Sequence, residues 1–179
     1  MNNPFTLIST KHIYDNPWIA VREDTVIRPW GKEGIFGIVT MQDGVTIIAV
    51  DNANNVITTN EFAYAIHSYS LEWVSGGIDH DESPLECAKR ELKEETGYEA
   101  NEWIDLGYID PFTSIIRARN YIFLARDLKL WSMNPDEWEI LNVGKIAYKK
   151  ALEMVMNSEI SHWASVVAIL KAQKYIYAS

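Results

Sequence analysis

From residue 5 to residue 64 the apolar positions come in short runs broken by turn residues, the pattern of strands. Phe5 to Tyr14 alternates weakly and stops at Asp15-Asn16-Pro17, a turn. Trp18 to Ile27 predicts a second strand. Ile19 and Val21 alternate, while the adjacent pair Val26-Ile27 breaks the period and predicts an irregularity. Arg28-Pro29 closes that strand, and residues 31–33 turn the chain. Two apolar runs follow, Ile35 to Met41 and Val45 to Val50; Gln42-Asp43-Gly44 between them predicts a hairpin. Asp51 to Asn55 is a further tight turn, and Val56 to Tyr64 returns. Five strands by Tyr64 predict a small sheet followed by a mixed one. No repeat or low-complexity linker separates them, so the boundary is soft and falls near Met41.

The period then changes. Leu71 to Gly77 predicts a strand that runs into a helix. Pro84 sits where a first-turn proline belongs, with Ser83 or Glu82 as its cap. Leu85, Ala88 and Leu92 recur at i, i+3 and i+7, and Gly97 stops the helix as a left-handed glycine does. Beyond it, Trp103 to Ile109 and Tyr121 to Ala125 read as strands. The loop between them, residues 110–119, carries Pro111, Arg117 and Arg119. An acidic loop, Asn134 to Glu139, precedes a strand from Ile140 to Val143. Lys145 to Asn157 and Ser161 to Tyr177 read as amphipathic helices.

The predicted central helix carries the candidate chemistry. Glu91, Glu94 and Glu95 stand at i, i+3 and i+4 and share one face, where like charges repel by a few tenths of a kcal/mol per pair. Such a face is ordinary solvated surface unless a divalent cation turns the repulsion into attraction. Hard oxygen ligands suit Mg²⁺ or Mn²⁺ rather than zinc. Composition narrows the alternatives. A chain of 179 residues predicts one domain with a small extension, large enough to bury roughly two-thirds of its unfolded surface without staples. The net charge of -9 argues against general nucleic-acid binding and leaves an anionic substrate to be met by metal ions and a few arginines. The single cysteine, Cys87, cannot form an internal disulfide; the glutamates around it would raise its pKa and keep the thiol inert. There is no amino-terminal signal pattern and no apolar run near about 18 residues, so a soluble cytoplasmic protein away from membranes is expected.

Gly76, Glu82, Arg90, Glu91, Leu92, Glu94, Glu95 and Gly97 fit the pattern Gly-x5-Glu-x7-Arg-Glu-U-x-Glu-Glu-x-Gly-U, where U is a bulky aliphatic residue. That is the Nudix box, and the chain resembles the Nudix hydrolases. Only the last position departs, with Tyr98 in place of an aliphatic residue. The resemblance implies an α+β fold, an α/β/α sandwich of the Nudix type, with a small N-terminal antiparallel β-sheet subdomain. The expected limits are 1–41 for the subdomain and 42–179 for the hydrolase domain.

Leu71 to Gly77 resembles the Leu-Glu-x-Pro-Ala-Gly-Gly segment of the branch that cleaves ADP-ribose, with Val74 and Ser75 replacing proline and alanine. The resemblance implies Glu91, Glu94, Glu95, the Ser75 carbonyl and Glu82 as ligands of Mg²⁺ or Mn²⁺, with Arg90 orienting a box glutamate. Glu137, with Glu139 as second choice, would orient or deprotonate the water. Glu72, Arg117 and Arg119 would contact the substrate, and Trp18 or Phe36 would stack on its base; for these two rings a core role is the open alternative. The expected reaction is metal-dependent hydrolysis of the diphosphate of a nucleoside diphosphate derivative, ADP-ribose to AMP and ribose 5-phosphate first. Another nucleotide sugar, a dinucleoside polyphosphate, or a non-catalytic nucleotide sensor stand as alternatives. Ala63, where relatives usually carry an arginine, keeps the first two open. A homodimer is implied as well.

Overall fold

The computed structural model describes residues 3–131 and 142–176. Its elements are, in order, β1 (Thr6–Asp15), β2 (Ile19–Ile27), β3 (Glu33–Met41), β4 (Gly44–Ala49) and β5 (Asn55–Ala63), then β6 (Ser68–Glu72), β7 (Val74–Gly77) and α1 (Pro84–Thr96). There follow β8 (Tyr98–Ile109), β9 (Ile116–Arg117), β10 (Asn120–Leu130), β11 (Asn142–Ala147), α2 (Tyr148–Met156) and α3 (Trp163–Ile176). The chain divides into two compact units: Met1–Asp43 with Asp110–Arg119, and Gly44–Ile109 with Asn120–Ser179.

The first unit is a four-stranded sheet in the order β1-β2-β3-β9. Asn16 makes its first turn, its Oδ1 accepting the amides of Trp18 (2.9 Å) and Ile19 (2.8 Å). The broken period at Val26-Ile27 has a counterpart on the neighbouring strand. The register of β1 slips between Leu7 and Ser9, opposite Val26 and Thr25, and Val26 is the buried residue of the pair.

In the second unit a mixed sheet runs β7-β4-β10-β8, with β4 parallel to β10 and antiparallel to β7. β4 is buried along nearly its whole length. Val45, Ile47 and Ala49 pack in one cluster with Cys87, Ala88 and Leu92 of α1. Ile48 and Val50 pack in the other with Tyr148, Ala151 and Val155 of α2 and Ala168, Ile169 and Ala172 of α3. The result is the expected α/β/α sandwich.

This burial corrects the predicted hairpin at residues 42–44. β3 pairs with β2 and β9, whereas β4 pairs with β7 and β10. An apolar run without alternation needs cover on both faces, which a sheet interior gives and a two-stranded ribbon does not. Asp43 instead accepts the Arg119 backbone amide at 2.8 Å.

A second correction concerns residues 145–147, read as the start of a helix. They form the end of β11, paired with Ile57, Val56 and Asn55 of β5, and the helix begins at Tyr148. Tyr148 is buried and its hydroxyl donates to the Ile169 carbonyl at 2.5 Å. The 71–77 segment is likewise two strands: β6 joins β5 and β11 in a third sheet, β7 joins β4, and Trp73 stands between them. Among the described residues no helix is long and apolar enough to cross a membrane.

Asp51 makes the turn between β4 and β5. Its Oδ1 accepts the amides of Ala53 and Asn55, each at 2.9 Å, and its Oδ2 meets Lys145 Nζ at 3.2 Å. Burial pushes its pKa up, but the hydrogen bonds from Asn55, Lys145 and Ala53 outweigh this and hold it below the ordinary carboxylate value. A carboxyl depressed in the folded state contributes stability above its unfolded pKa and loses it as pH falls through the lower folded value. Asp51→Asn should therefore lower the thermal midpoint at neutral pH and flatten its decline below about pH 4. A pH series of melting curves on both proteins checks this; parallel acid limbs would contradict it.

Candidate active site

Local chemistry builds α1. The Ser83 hydroxyl accepts the Glu86 amide at 3.3 Å, and the Glu86 carboxylate accepts the Ser83 amide at 2.9 Å, a reciprocal capping box. Pro84 follows at the first helical position. Gly97 ends the helix at φ 71°, its amide donating to the Lys93 carbonyl at 2.8 Å. Cys87, Ala88 and Leu92 then fix the helix's roll against the sheet. Because Glu91 and Glu95 neighbour that stripe, they turn inward too and are only 9% and 6% exposed. Glu94 is half-buried. The face is not the solvated surface that charge alone suggests. Buried carboxylates demand partners.

Arg90 supplies one to Glu91 and joins it to two further carboxylates. Its Nε donates to Glu82 Oε1 at 3.0 Å and its Nη2 to Glu82 Oε2 at 3.0 Å, a two-pronged pair. Its Nη1 reaches Glu91 Oε1 at 2.8 Å and Glu94 Oε2 at 3.0 Å. Nη2 also donates to the Gly77 carbonyl at 3.2 Å. The hydrogen bond from Arg90 is the largest cause of Glu82's pKa lying below its ordinary value. Those same contacts raise the guanidinium's own pKa, led by the bond to Glu82.

β7 closes the other side. Ser75 pairs with Thr46, Gly76 with Val45 and Gly77 with Gly44 across the β4 ladder. A Cβ placed on Gly76 would land inside the Glu91 carboxylate. A Cβ on Gly44 would lie 3.0 Å from the Gly76 carbonyl oxygen. Only glycine lets the strand and the helix carboxylate come this close. The donors gathered here are hard oxygens, two of the carboxylates being buried, which fits a divalent cation of the Mg²⁺ class and not a soft metal. Among the described residues no three such side chains converge on one point as a ready cation site; Glu82, Glu91 and Glu94 converge on Arg90. Cys87 donates its thiol to the Gly77 carbonyl at 3.2 Å. Burial, then the charges of Glu82 and Glu91, push its pKa up to about 12, so it is the inert thiol expected.

Residues 40–164 match the family model described as the NUDIX domain, and residues 5–39 match that of the nucleoside diphosphate sugar hydrolase N-terminal domain. The chain belongs to the Nudix family. It is a Nudix-type pyrophosphohydrolase. The methanol dehydrogenase activator of Bacillus methanolicus is 25% identical over 90% of this chain and 89% of its own. The ADP-ribose pyrophosphatase of Bacillus subtilis (strain 168) is 26% identical over the same shares, 90% and 89%. The ADP compounds hydrolase NudE of Escherichia coli (strain K12) is 28% identical over 76% of this chain and 73% of its own. In fold, the chain superposes on a crystal structure of an ADP compounds hydrolase with a TM-score of 0.88, covering 97% of this chain and 95% of that one at 23% identity.

The Nudix box lies in the second unit, and Trp18, Phe36, Arg117 and Arg119 belong to the first. In the first unit Arg117 and Arg119 line a cavity of about 840 Å³ with Arg22, Thr40, Asp43 and Asp110. Arg119 Nε lies 3.6 Å from Asp110, and Arg22 Nε 3.1 Å from Asp24. Arg117 has no ion pair among the described residues. Arg22 has no sequence signal of its own; only the pairing of β2 with β3, which sets it opposite Ile38, brings it to the cavity. Trp18 is 72% exposed beside the first turn, and Phe36 packs edge-on against Phe5 at 5.4 Å. Ile19, next to Trp18, pairs with Met41, five residues along β3 from Phe36 and so roughly 17 Å away. The two rings therefore do not sandwich one base within a single copy.

In the second unit the Glu72 carboxylate is held by His162 Nδ1 at 3.0 Å. Burial raises its pKa, but hydrogen bonds from His162 and Ser70 and the charge of His162 outweigh this and leave it lowered. Glu137 and Glu139 lie outside the described residues.

Gly76→Ala tests the close approach. Overpacking of this kind costs about 1–3 kcal/mol, so the thermal midpoint should fall measurably and hydrolysis should fall further than the midpoint explains. An alanine variant with unchanged melting and activity would contradict the geometry.

Proposed function

We propose that this chain hydrolyses the diphosphate linkage of a nucleoside diphosphate derivative, ADP-ribose first, giving AMP and ribose 5-phosphate. The observation that carries the reading is that Arg90 gathers Glu91 and Glu94 with Glu82, that Glu91 lies against Gly76, and that Glu95 on the same helix is buried. Glu91, Glu94 and Glu95, with the Ser75 carbonyl and Glu82, would hold Mg²⁺ or Mn²⁺. Bound there, the ion supplies charge neutralisation of the diphosphate and a more acidic water. Arg90 orients Glu91 and Glu94 and keeps Glu82 ionised. Glu137 would orient or deprotonate the attacking water.

Arg117 and Arg119 would bind the phosphate or sugar end of the substrate; the arginine-lined cavity supports this, and Arg22 joins them there. Trp18 or Phe36 would stack on the base, and Glu72 would meet the substrate from β6. We place the catalytic domain at 42–179, the amino-terminal subdomain at 1–41, and the protein in the cytoplasm as a homodimer. All ten residues of β1 are exposed, Leu7, Ile8 and Ile13 among them, which supports pairing of that sheet with a second copy.

A different diphosphate is the second reading. Ala63 closes β5 without the cation that relatives usually have. Relatives of this chain include GDP-mannose pyrophosphatases as well as an ADP compounds hydrolase. A nucleotide sensor without turnover is disfavoured by the intact set of box carboxylates.

Steady-state kinetics on a panel of nucleotide sugars and dinucleoside polyphosphates, with Mg²⁺ and Mn²⁺, tests both readings. Glu94→Gln and Glu95→Gln should abolish turnover while circular dichroism and melting stay native. Arg117→Gln should raise KM about tenfold with kcat within about twofold, the signature of lost uniform binding. Wild-type turnover that survives complete chelation of divalent ions would sink the mechanism.

A further inference from the structure

Trp73 is where the chain leaves one sheet for another. Glu72 before it pairs with Thr59 of β5, and Val74 after it pairs with Ile47 of β4. The Trp73 side chain sits in the cluster formed with α2 and α3, and that of Val74 in the cluster formed with α1. At such a switch the Trp73 amide loses its place in a ladder, and both its amide and its indole N–H are buried, with the residue 0% exposed. Each needs an acceptor.

One residue provides both. Ser165, also 0% exposed, accepts the Trp73 amide on its Oγ at 3.1 Å and the indole N–H on its carbonyl at 2.7 Å, across 92 residues of sequence. Ser165 is itself held. His162 Nδ1 lies 3.0 Å from Ser165 Oγ and 3.0 Å from Glu72 Oε2. Glu72, His162, Ser165 and Trp73 therefore close a ring of contacts around the switch. Glu61 of β5 stands by, its pKa raised by burial and by the charge of Glu72.

The strand that leaves this switch is β7. Two residues beyond Trp73 it presents Ser75, and three beyond, Gly76, whose Cα rests against the Glu91 carboxylate with no room for a methyl group. β7 is four residues long; its ladder with β4 fixes its register, and the bonds from Ser165 hold the residue from which it leaves. We propose that Ser165 and His162, at the start of α3, are positioning residues for the hydrolase site. They set the direction in which the chain leaves Trp73, and so the depth at which the Ser75–Gly76 backbone meets the box glutamates. The inference rests on the box being the reaction site. It assigns a role to a stretch, 158–165, whose part in the reaction is otherwise unspecified.

The test compares Ser165→Ala and His162→Gln with Ile169→Val, a core change in the same helix that loosens packing without touching the ring. In the metal-free enzyme, hydrogen exchange over residues 74–77 should quicken in the first two and not in the third. With Mn²⁺ as probe, affinity measured by electron paramagnetic resonance should weaken about tenfold in Ser165→Ala and His162→Gln, the scale at which outer partners of metal ligands act. On the diphosphate that wild type cleaves best, kcat should fall by a similar factor with KM nearly constant.

If Ser165→Ala does not fold, His162→Gln decides alone. Unchanged exchange over 74–77, or equal losses in Ile169→Val, would overturn the inference. Should wild type cleave no diphosphate, the proposed function fails, and the exchange and Mn²⁺ measurements still decide this one.

Discussion

A single guanidinium hydrogen-bonds three carboxylates and keeps them in one place. Glu82, Glu91 and Glu94 would repel one another if left alone, and burying Glu91 and Glu95 would cost several kcal/mol per ion without partners. Arg90 answers the first three at 2.8–3.0 Å and ties the loop ahead of α1 to the middle of that helix. Glu82 is thereby kept ionised, and Glu91 and Glu94 are held in place beside it. The same arrangement makes the thiol of Cys87, one turn before Glu91, a poor nucleophile: it is buried beside anions and its pKa rises.

That charge cluster needs a rigid backing, and the mixed sheet supplies it. β4 and β10 are buried between α1 on one face and α2 and α3 on the other. The helix carrying the carboxylates and the strand facing them are thus fixed to one slab. β7 is a short strand laddered to β4, and the tryptophan just before it is anchored to a serine in the last helix.

What was legible in the sequence follows the range of the forces involved. α1 was readable end to end because its signals are local: Ser83 and Glu86 cap each other, Pro84 starts it and Gly97 stops it. The shared helix of the candidate glutamates was readable because helical spacing alone sets Glu91, Glu94 and Glu95 on neighbouring positions of one face. The turns at Asn16 and Asp51 were readable because each side chain bonds its own backbone. The errors came where partners are distant. Gln42-Asp43-Gly44 carries hairpin chemistry, but the demand for cover on both faces of β4 sends that strand to β10 instead. Lys145 to Ala147 has helical composition, but β5 offers an edge that recruits it. The break at Trp73 depends on Ser165, and the place of Arg22 on a cavity shared with Arg117 depends on strand register; neither leaves a mark in local sequence.

The central claim is that water cleaves a nucleoside diphosphate at this carboxylate cluster. It is tested most directly by incubating the protein with ADP-ribose and Mg²⁺ in ¹⁸O-labelled water and resolving the products by mass. The account predicts AMP and ribose 5-phosphate with one labelled oxygen on one of the two phosphates, and no conversion once the divalent ion is chelated. Products that carry no label, or labelled products that form equally well without a divalent ion, would contradict it.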